Sequence, residues 1–226
     1  MTVEYDRLQE RLGYRFSEST LLVRALTHRS AFGPNNERLE FLGDSVLNFV
    51  VAAEVFDRRK QAREGELSRL RAKLVNQASL ADIARELALG EALRLGGGEM
   101  KAGGQRRDSI LSDTLEAIVG AVYLDAGFAI CREVIRRLYG NRLRELPSIR
   151  ELKDPKTRLQ EHLQSIRLPL PEYRVLEIAG RAHAQTFQVE CRIIGVETVT
   201  HGLANSRRQA EQKAAASMLQ RLEEES

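Results

Sequence analysis

The sequence of 226 residues is poor in cysteine and lacks tryptophan. Its two cysteines, Cys131 and Cys191, lie far apart and have no partners at the spacing of zinc ligands, so they indicate neither a disulfide framework nor a structural metal. We predict two buried free thiols. No stretch approaches the roughly 20 apolar residues that a membrane span needs, and the first residues are not a basic segment followed by an apolar one. We therefore expect a cytoplasmic protein that has no membrane partner.

The sequence also lacks a strong excess of charge of one sign. The net charge is +3 and the isoelectric point is about 9.0. Residues 154–226 hold ten Lys/Arg and ten Asp/Glu, so neither half of the chain is strongly basic. Evidence for an anionic partner must therefore come from the positions where basic residues cluster, because the net charge of the chain is weak evidence. The length and the 42% hydrophobic composition are typical of a globular protein with two modest domains.

Two patterns of apolar residues divide the chain. From Glu4 to about Leu146 they recur at helical spacing, which predicts an all-α domain over residues 1–147. A polar stretch then predicts a linker over residues 148–153. In residues 154–224 a helix is predicted from Thr157, strands over 173–178, 186–193 and 195–204, and a last helix capped near Asn205 and Ser206. The second domain is therefore predicted to have the order α-β-β-β-α.

Acidic residues recur at helical spacing inside two apolar segments. Glu37, Glu40 and Asp44 are spaced i, i+3 and i+7, and Asp113 and Glu116 are spaced i, i+3. This spacing puts the carboxylates of each segment on one face of a helix. Carboxylates without nearby His or Cys suit Mg²⁺ or Mn²⁺, which favours a catalytic metal site formed by four of them, Glu40, Asp44, Asp113 and Glu116.

Structural roles remain open for the same residues. Buried ion pairs with arginine would also explain Glu40, Asp44, Asp113 and Glu116. Glu37 follows two asparagines, so capping of a helix and compensation of its dipole would explain it equally well. Glu64, before Gly65, would be an ordinary surface residue. Taken together, the four inner carboxylates favour a metal.

One segment is similar to a known signature. Residues 36–47, NERLEFLGDSVL, resemble the signature of the ribonuclease III family without a gap, and the resemblance continues in Leu26–Ser30, Glu64–Arg69 and the Asp113 and Glu116 pair. It implies an Mg²⁺-dependent endonuclease, in which Mn²⁺ can substitute, that cuts double-stranded RNA to 5′-phosphate and 3′-hydroxyl ends with a short 3′ overhang. The implied substrates are precursor ribosomal RNA and structured messenger RNA, and no small-molecule cofactor is implied.

The resemblance also implies roles for single residues. Glu40, Asp44, Asp113 and Glu116 match the metal-binding carboxylates, with Asp44 and Glu116 the catalytic pair. Glu37 and Glu64 match outer acidic positions that assist RNA or metal binding. The family acts as a homodimer, and Phe41 matches a residue that inserts into the partner subunit, although plain core packing would also explain this phenylalanine.

Residues 154–222 resemble the double-stranded-RNA-binding domain, which recognises A-form shape through phosphates and 2′-hydroxyls. Three surfaces are implied to contact RNA. They are the first helix, the loop between the first two strands, and the start of the last helix; the residues are Thr157, Gln160, Glu161, His183, Ser206, Arg207, Arg208 and Lys213. Glu211 departs from the general pattern, which has a basic residue there, so a modest RNA affinity is expected. Standing alone, Arg207 and Arg208 would be a solvated face, and no catalytic role is expected for His28, His162 or His201.

Two other functions compete with this one. A non-catalytic RNA-binding protein would have lost the carboxylates, which are intact here. A metal phosphohydrolase acting on nucleotides would explain the carboxylates without any need for residues 154–222.

Overall fold

A computed structural model describes residues 3–148, 153–181 and 185–224 of the chain. They form two units, Met1–Pro147 and Ser148–Ser226. The first is helical, and its elements are α1 (Val3–Leu12), α2 (Ser19–Ala25), α3 (Glu37–Arg58), α4 (Glu64–Val75), α5 (Gln77–Glu86), α6 (Leu89–Ala92), α7 (Gly97–Lys101), a 3-10 turn (Gly104–Arg106), α8 (Asp108–Tyr139) and α9 (Asn141–Arg144).

Helices α3 and α8 form the centre of the first unit and touch through their backbones. A Cβ atom at Gly43 of α3 would lie 1.7 Å from the carbonyl oxygen of Glu116, and one at Gly120 of α8 would lie 2.2 Å from the carbonyl oxygen of Leu39. Only glycine permits such an approach. Apolar residues on both sides of the contact are buried, including Leu39, Leu47, Val50, Leu115, Ile118 and Val119. The contact therefore sets the register of the two helices.

Helix α8 breaks at Gly127, whose backbone has φ 77° and ψ 178°. Counted across this break, α8 is long and apolar enough to cross a membrane by length and composition alone, and half of that apolar window is buried inside the structure. The expectation that no stretch approaches a span in length was therefore wrong. The core helix of a soluble protein passes the same test, and the buried face of α8 is explained by its packing on α3.

Glu54 of α3 is a buried carboxylate that is fully paired. Its side chain is 3% exposed and contacts Arg136 at 2.6 Å, Arg58 at 3.0 Å and Arg132 at 3.4 Å. Burial raises the pKa of Glu54, but hydrogen bonds and charge from Arg136, with Arg132 and Arg58, outweigh it and hold this pKa below its ordinary value. This cluster joins α3 to the second half of α8.

The second unit has the order α-β-β-β-α, so the predicted fold class is confirmed for both parts of the chain. Its elements are α10 (Pro155–Ser165), β1 (Glu172–Ala179), β2 (Thr186–Arg192), β3 (Val199–Ala204) and α11 (Arg207–Glu224). The strands form an antiparallel sheet in the order β1-β2-β3, with a register shift between Val175 and Glu177. Asp154 caps α10 by accepting a hydrogen bond from the Thr157 amide, and the Ser206 hydroxyl accepts one from the Gln209 amide at the start of α11.

One face of the sheet packs against both helices of the second unit. The buried cluster consists of Leu159, Leu163, Cys191, Ile193, Ala214, Ala215, Met218, Leu219 and Leu222. The third strand begins at Val199, four residues after its predicted start at residue 195. Helix α10 begins at Pro155, two residues before its predicted start at Thr157. Cys131 and Cys191 are both buried and free, as predicted. Burial raises the pKa of Cys191 to about 11, so this thiol stays protonated.

The contact between α3 and α8 predicts that a methyl group at Gly43 is not tolerated. We expect Gly43→Ala to lower the free energy of unfolding by about 3 kcal/mol, because the added Cβ overlaps a backbone carbonyl that cannot turn away. Gly65→Ala is the matched control, since Gly65 lies in α4 with nothing within 4 Å of its Cβ position. Urea denaturation of both variants measures the effect, and equal midpoints would contradict it.

The Glu54 cluster predicts an acid-sensitive contribution to stability. We expect Glu54→Gln to destabilise the protein by about 3 kcal/mol at neutral pH, because three arginines lose their buried partner. The folded pKa of Glu54 is lowered, so this contribution is complete above the ordinary pKa and is lost as pH falls through the lowered one. Thermal unfolding from pH 3 to 7 measures it, with the exposed Asp57→Asn on the same helix as control. A constant difference from the parent at every pH would exclude this account.

Candidate active site and nucleic-acid interface

Three of the four predicted metal-binding carboxylates lie together. Glu40 of α3 and Asp113 and Glu116 of α8 each offer a carboxylate oxygen within 4.8 Å of the others. All three are half-buried. Glu40 lies one turn before Gly43, and Glu116 one turn before Gly120, so the backbone contact of the two helices brings the three together. We call them the carboxylate group.

Burial raises the pKa of every member of the carboxylate group, although the charge of Arg29 opposes this at Glu40 and Asp113. Burial, followed by the charges of Asp44, Asp113 and Glu40, raises the pKa of Glu116 to about 8. Burial and the charge of Asp113 also raise the pKa of Glu40, and burial raises that of Asp113 despite a hydrogen bond from Ser112. In the part of the chain that the structure describes, no arginine forms an ion pair with any of the three. Buried ion pairs therefore do not explain them, and the donor set suits a hard cation.

Asp44 lies apart from the carboxylate group. Although Asp44 lies in an apolar segment of the sequence, it is exposed, because Asp44 and its neighbour Ser45 face the solvent side of α3. Its carboxylate accepts a hydrogen bond from the Asn48 side chain at 2.8 Å. It remains near enough that its charge is the largest electrostatic influence on the pKa of Glu116.

The two outer acidic residues differ in position. Glu37 is exposed, accepts a hydrogen bond from the Asn35 side chain at 2.9 Å and lies 3.8 Å from Arg29. It lines the cleft that contains Glu40 and Asp113. Glu64 is exposed at the start of α4, where it accepts a hydrogen bond from Ser68 at 2.8 Å, and does not line that cleft.

This cleft has a volume of about 580 Å³ and extends beyond the carboxylate group. Its lining residues are His28, Arg29, Ser30, Asn36, Glu37, Glu40, Glu99, Arg107, Ser109, Ile110 and Asp113. The sequence reasoning missed the polar and basic part of this lining. In the sequence, residues 27–30, Thr-His-Arg-Ser, indicate only a similarity to a family segment. This tetrapeptide contains a basic residue and two hydroxyl groups and comes shortly before the acidic signature. Its composition is the signal from which the polar and basic lining of the cleft could have been predicted.

An exposed apolar surface runs along α3. Phe41 is 79% exposed, and Phe49 and Phe56 on the same helix are also exposed, as are Leu124, Phe128 and Ile130 of α8. The rings of Phe49 and Phe128 lie 5.7 Å apart. Core packing within the chain therefore does not explain Phe41. Clustered aromatic side chains of this kind are typical of a protein interface.

In the second unit the predicted residues of α10 lie near its first two turns. Thr157 is half-buried and its hydroxyl donates a hydrogen bond to Asp154 at 2.8 Å. Gln160 and Glu161 are exposed, and Glu161 accepts hydrogen bonds from Lys153 at 2.6 Å. The predicted contact at His183 lies outside the residues that the structure describes.

The start of α11 separates two kinds of basic residue. Arg207 contacts Glu211 at 2.8 Å, and Lys156 of α10 contacts the same carboxylate at 2.7 Å. Arg208 and Lys213 instead line a groove of about 1010 Å³ with Ser206, and the Lys213 ammonium donates a hydrogen bond to the Leu203 carbonyl at 2.9 Å. Glu211 therefore faces two cations rather than this groove.

Comparison with known proteins agrees with both units. Residues 18–143 match the family model described as ribonuclease-III-like, and residues 155–222 match the double-stranded RNA binding motif. The chain is 61% identical over 224 residues to ribonuclease 3 of Alkalilimnicola ehrlichii, covering 99% of this chain and 98% of that one. It is 58% identical to ribonuclease 3 of Hahella chejuensis, covering 97% of each chain.

A solved structure is similar to the first unit. The nuclease domain of ribonuclease III from Campylobacter jejuni is 46% identical, with a TM-score of 0.59, and the match covers 60% of this chain and 96% of that one. The description of that structure refers to a region involved in dimer formation. With two family models and near-full-length relatives of high identity, the chain belongs to the bacterial ribonuclease III family.

Proposed function

We propose that this protein is an endonuclease that cuts double-stranded RNA to 5′-phosphate and 3′-hydroxyl ends with short 3′ overhangs. The observation that carries the proposal is the carboxylate group, of which Glu40 and Asp113 line a cleft, in a chain that also contains a double-stranded RNA binding motif. Its substrates are precursor ribosomal RNA and structured messenger RNA, and it acts in the cytoplasm without a small-molecule cofactor. Its domains are residues 1–147 and 154–224, joined by a linker over 148–153, of which residues 149–152 lie outside the described part.

The residues present fit Mg²⁺, with Mn²⁺ as a substitute. Glu40, Asp113 and Glu116 would hold the ion directly, and Asp44 would assist from the solvent side, since its charge acts on Glu116. When bound, such an ion lowers the pKa of a water for attack on a phosphodiester and stabilises charge on the leaving oxygen. The raised pKa of Glu116, about 8, supports this assignment, because a bound cation would favour the charged carboxylate against the burial and the neighbouring negative charges that raise its pKa.

The contribution of the protein's own residues is to position and orient the carboxylates of the site. Glu40 and Glu116 are held by helices whose backbones touch, so their spacing does not depend on flexible loops. Asp44 and Glu116 are the catalytic pair in this proposal. Glu37, which lines the same cleft, assists there, and Glu64, exposed at the start of α4 and outside the cleft lining, assists in binding RNA.

The second unit supplies binding to the duplex. Thr157, Gln160 and Glu161 of α10 contact 2′-hydroxyls in one minor groove, and His183 contacts the next. Ser206, Arg208 and Lys213 at the start of α11 contact phosphates, where the helix dipole adds to their charge. Arg207 contributes less, because Glu211 already neutralises it.

The active form is a homodimer. The exposed aromatic side chains of α3 and α8 support it, since Phe41 at 79% exposure has no apolar cover within the described chain. The region involved in dimer formation in the Campylobacter jejuni nuclease domain gives a precedent in a relative. Each subunit would then cut one strand of the duplex.

Replacing Glu116 tests the activity. We expect purified Glu116→Gln to cut a long RNA duplex with Mg²⁺ at least about a thousandfold more slowly than the parent, a loss of roughly 4 kcal/mol in the transition state. Binding of the same duplex should be unchanged. The measurements are single-turnover cleavage and filter binding.

The control for this experiment is the exposed Glu91→Gln, which lies in α6 outside the cleft. Single-stranded RNA and nucleoside triphosphates are assayed beside the duplex. Hydrolysis of the nucleotides with no cutting of the duplex would favour the phosphohydrolase. A parent protein that binds the duplex without cutting it would leave only an RNA-binding role.

The groove at the start of α11 predicts a graded effect on RNA binding. We expect Arg208→Gln to weaken duplex binding and to reduce the slope of log K against log salt by about 1, because one phosphate contact is lost. Arg221→Gln, exposed in the last turn of the same helix, is the control. Fluorescence anisotropy at four salt concentrations measures both, and identical slopes would refute the contact.

A further inference from the structure

One part of the cleft has no role in the function proposed above. Glu40 and Asp113 belong to the carboxylate group, and Glu37 lies beside them. Besides Ile110 and Glu99, which lies beside Arg107, the remaining lining residues are basic, hydroxyl-bearing or amide-bearing: His28, Arg29, Ser30, Asn36, Arg107 and Ser109. We call these six the polar side of the cleft.

The loop that carries Arg29 has a fixed backbone. The His28 amide donates to the Arg94 carbonyl at 3.0 Å, and the Gly96 amide donates to the Ser30 hydroxyl at 2.9 Å. The His28 ring and the Ser30 hydroxyl share a hydrogen bond of 2.8 Å. The Arg29 side chain is nevertheless 72% exposed. A fixed backbone with an exposed guanidinium is suited to binding a ligand from solution.

The polar side also contains the start of α8. Arg107 is the N-cap residue of this long helix and makes no capping hydrogen bond with its side chain, and Ser109 and Ile110 of the first turn line the cleft. The first amide N–H groups of a helix have no partners within it and carry partial positive charge. The end of α8 therefore favours an anion in the cleft.

Asn36 indicates the same class of ligand. It is 2% exposed and lines the cleft, and its side-chain amide nitrogen is buried without a hydrogen-bond partner among the described residues. An amide nitrogen donates hydrogen bonds, so it requires an acceptor rather than a cation. A buried donor without a partner costs about 1–3 kcal/mol, which an entering acceptor would recover.

Each of the two arginines contacts one carboxylate but is exposed enough to exchange it for such a ligand. Arg29 lies 3.8 Å from Glu37, and Arg107 lies 2.7 Å from Glu99. Both guanidinium groups are more than half exposed, at 72% and 52%. Exposed ion pairs of this kind contribute little, so a phosphate can replace the carboxylate at each arginine. Bidentate binding of phosphate by arginine is also stronger than a single contact.

We propose that the polar side of the cleft binds a second phosphate of the cut RNA strand, one that is not itself cleaved. The inference rests on the proposed function, because the scissile phosphate lies at the end of the cleft that holds Glu40 and Asp113. The bound phosphate therefore belongs to a neighbouring nucleotide. Arg29 and Arg107 supply its charge partners, and the α8 terminus and Asn36 supply hydrogen-bond donors. The subsite fixes which bond of the strand reaches the carboxylate group.

The test uses short RNA duplexes with one cleavage site, in which single phosphates on either side of the cut bond are replaced by uncharged methylphosphonates. Binding is measured with Ca²⁺ in place of Mg²⁺, for the parent, Arg29→Gln, Arg107→Gln and the control Arg106→Gln. Arg106 is exposed, adjacent in sequence and outside the cleft lining. Cleavage of the unmodified duplex by the parent with Mg²⁺ tests the proposed function separately.

We expect one neutral linkage next to the cut bond to weaken binding by the parent about tenfold, the effect of losing one charged hydrogen-bonded contact. Arg29→Gln and Arg107→Gln should weaken binding of the unmodified duplex by a similar factor. In these variants the neutral linkage next to the cut bond should no longer weaken binding, while neutral linkages at other positions should act as they do in the parent. Arg106→Gln should keep the parent's pattern.

Two outcomes overturn the inference while leaving the proposed function intact. In one, the parent cuts the duplex and both cleft variants keep the parent's full sensitivity at every linkage. In the other, the cleft variants bind the duplex more tightly than the parent, as they would if the polar side held a cation. Thermal unfolding of each variant checks that the variant is folded at the temperature of the binding measurements.

Discussion

The approach of two helix backbones at Gly43 and Gly120 is the contact on which the rest of the site depends. It brings α3 and α8 close enough for Glu40, Asp113 and Glu116 to share one small volume. Any side chain at either glycine would separate the helices and with them the carboxylates. The glycine in the middle of the signature segment is therefore explained by packing, and the acidic residues beside it depend on that packing for their spacing.

The same two helices contain two carboxylates of opposite kinds, Glu54, which is buried, and Glu116, which is half-buried. Glu54 faces three arginines, which hold its pKa low, so its charge is compensated within the chain. Glu116 faces other carboxylates, which together with burial raise its pKa to about 8. The first arrangement stabilises the fold. The second costs stability in the protein alone, and the cation proposed for this site would offset that cost.

Sequence spacing predicted the helical faces of the acidic residues but not their surroundings. The i, i+3 pair Asp113 and Glu116 follows from local periodicity, as does the α-β-β-β-α order of the second unit. The exposure of Asp44 could not be predicted, because it depends on which side of α3 meets α8, a segment some 70 residues later. The polar side of the cleft is likewise assembled from residues far apart in sequence, such as Arg29 and Arg107.

Charge counts gave little information on RNA binding, and the structure explains why. Residues 154–226 have equal numbers of acidic and basic side chains. Glu211, expected to weaken binding, lies between Lys156 and Arg207 and joins α10 to α11. Its acidic charge is thereby removed from the groove that contains Arg208 and Lys213. A domain with no net charge can present a basic surface in this way, because its carboxylates pair with cations that lie outside that surface.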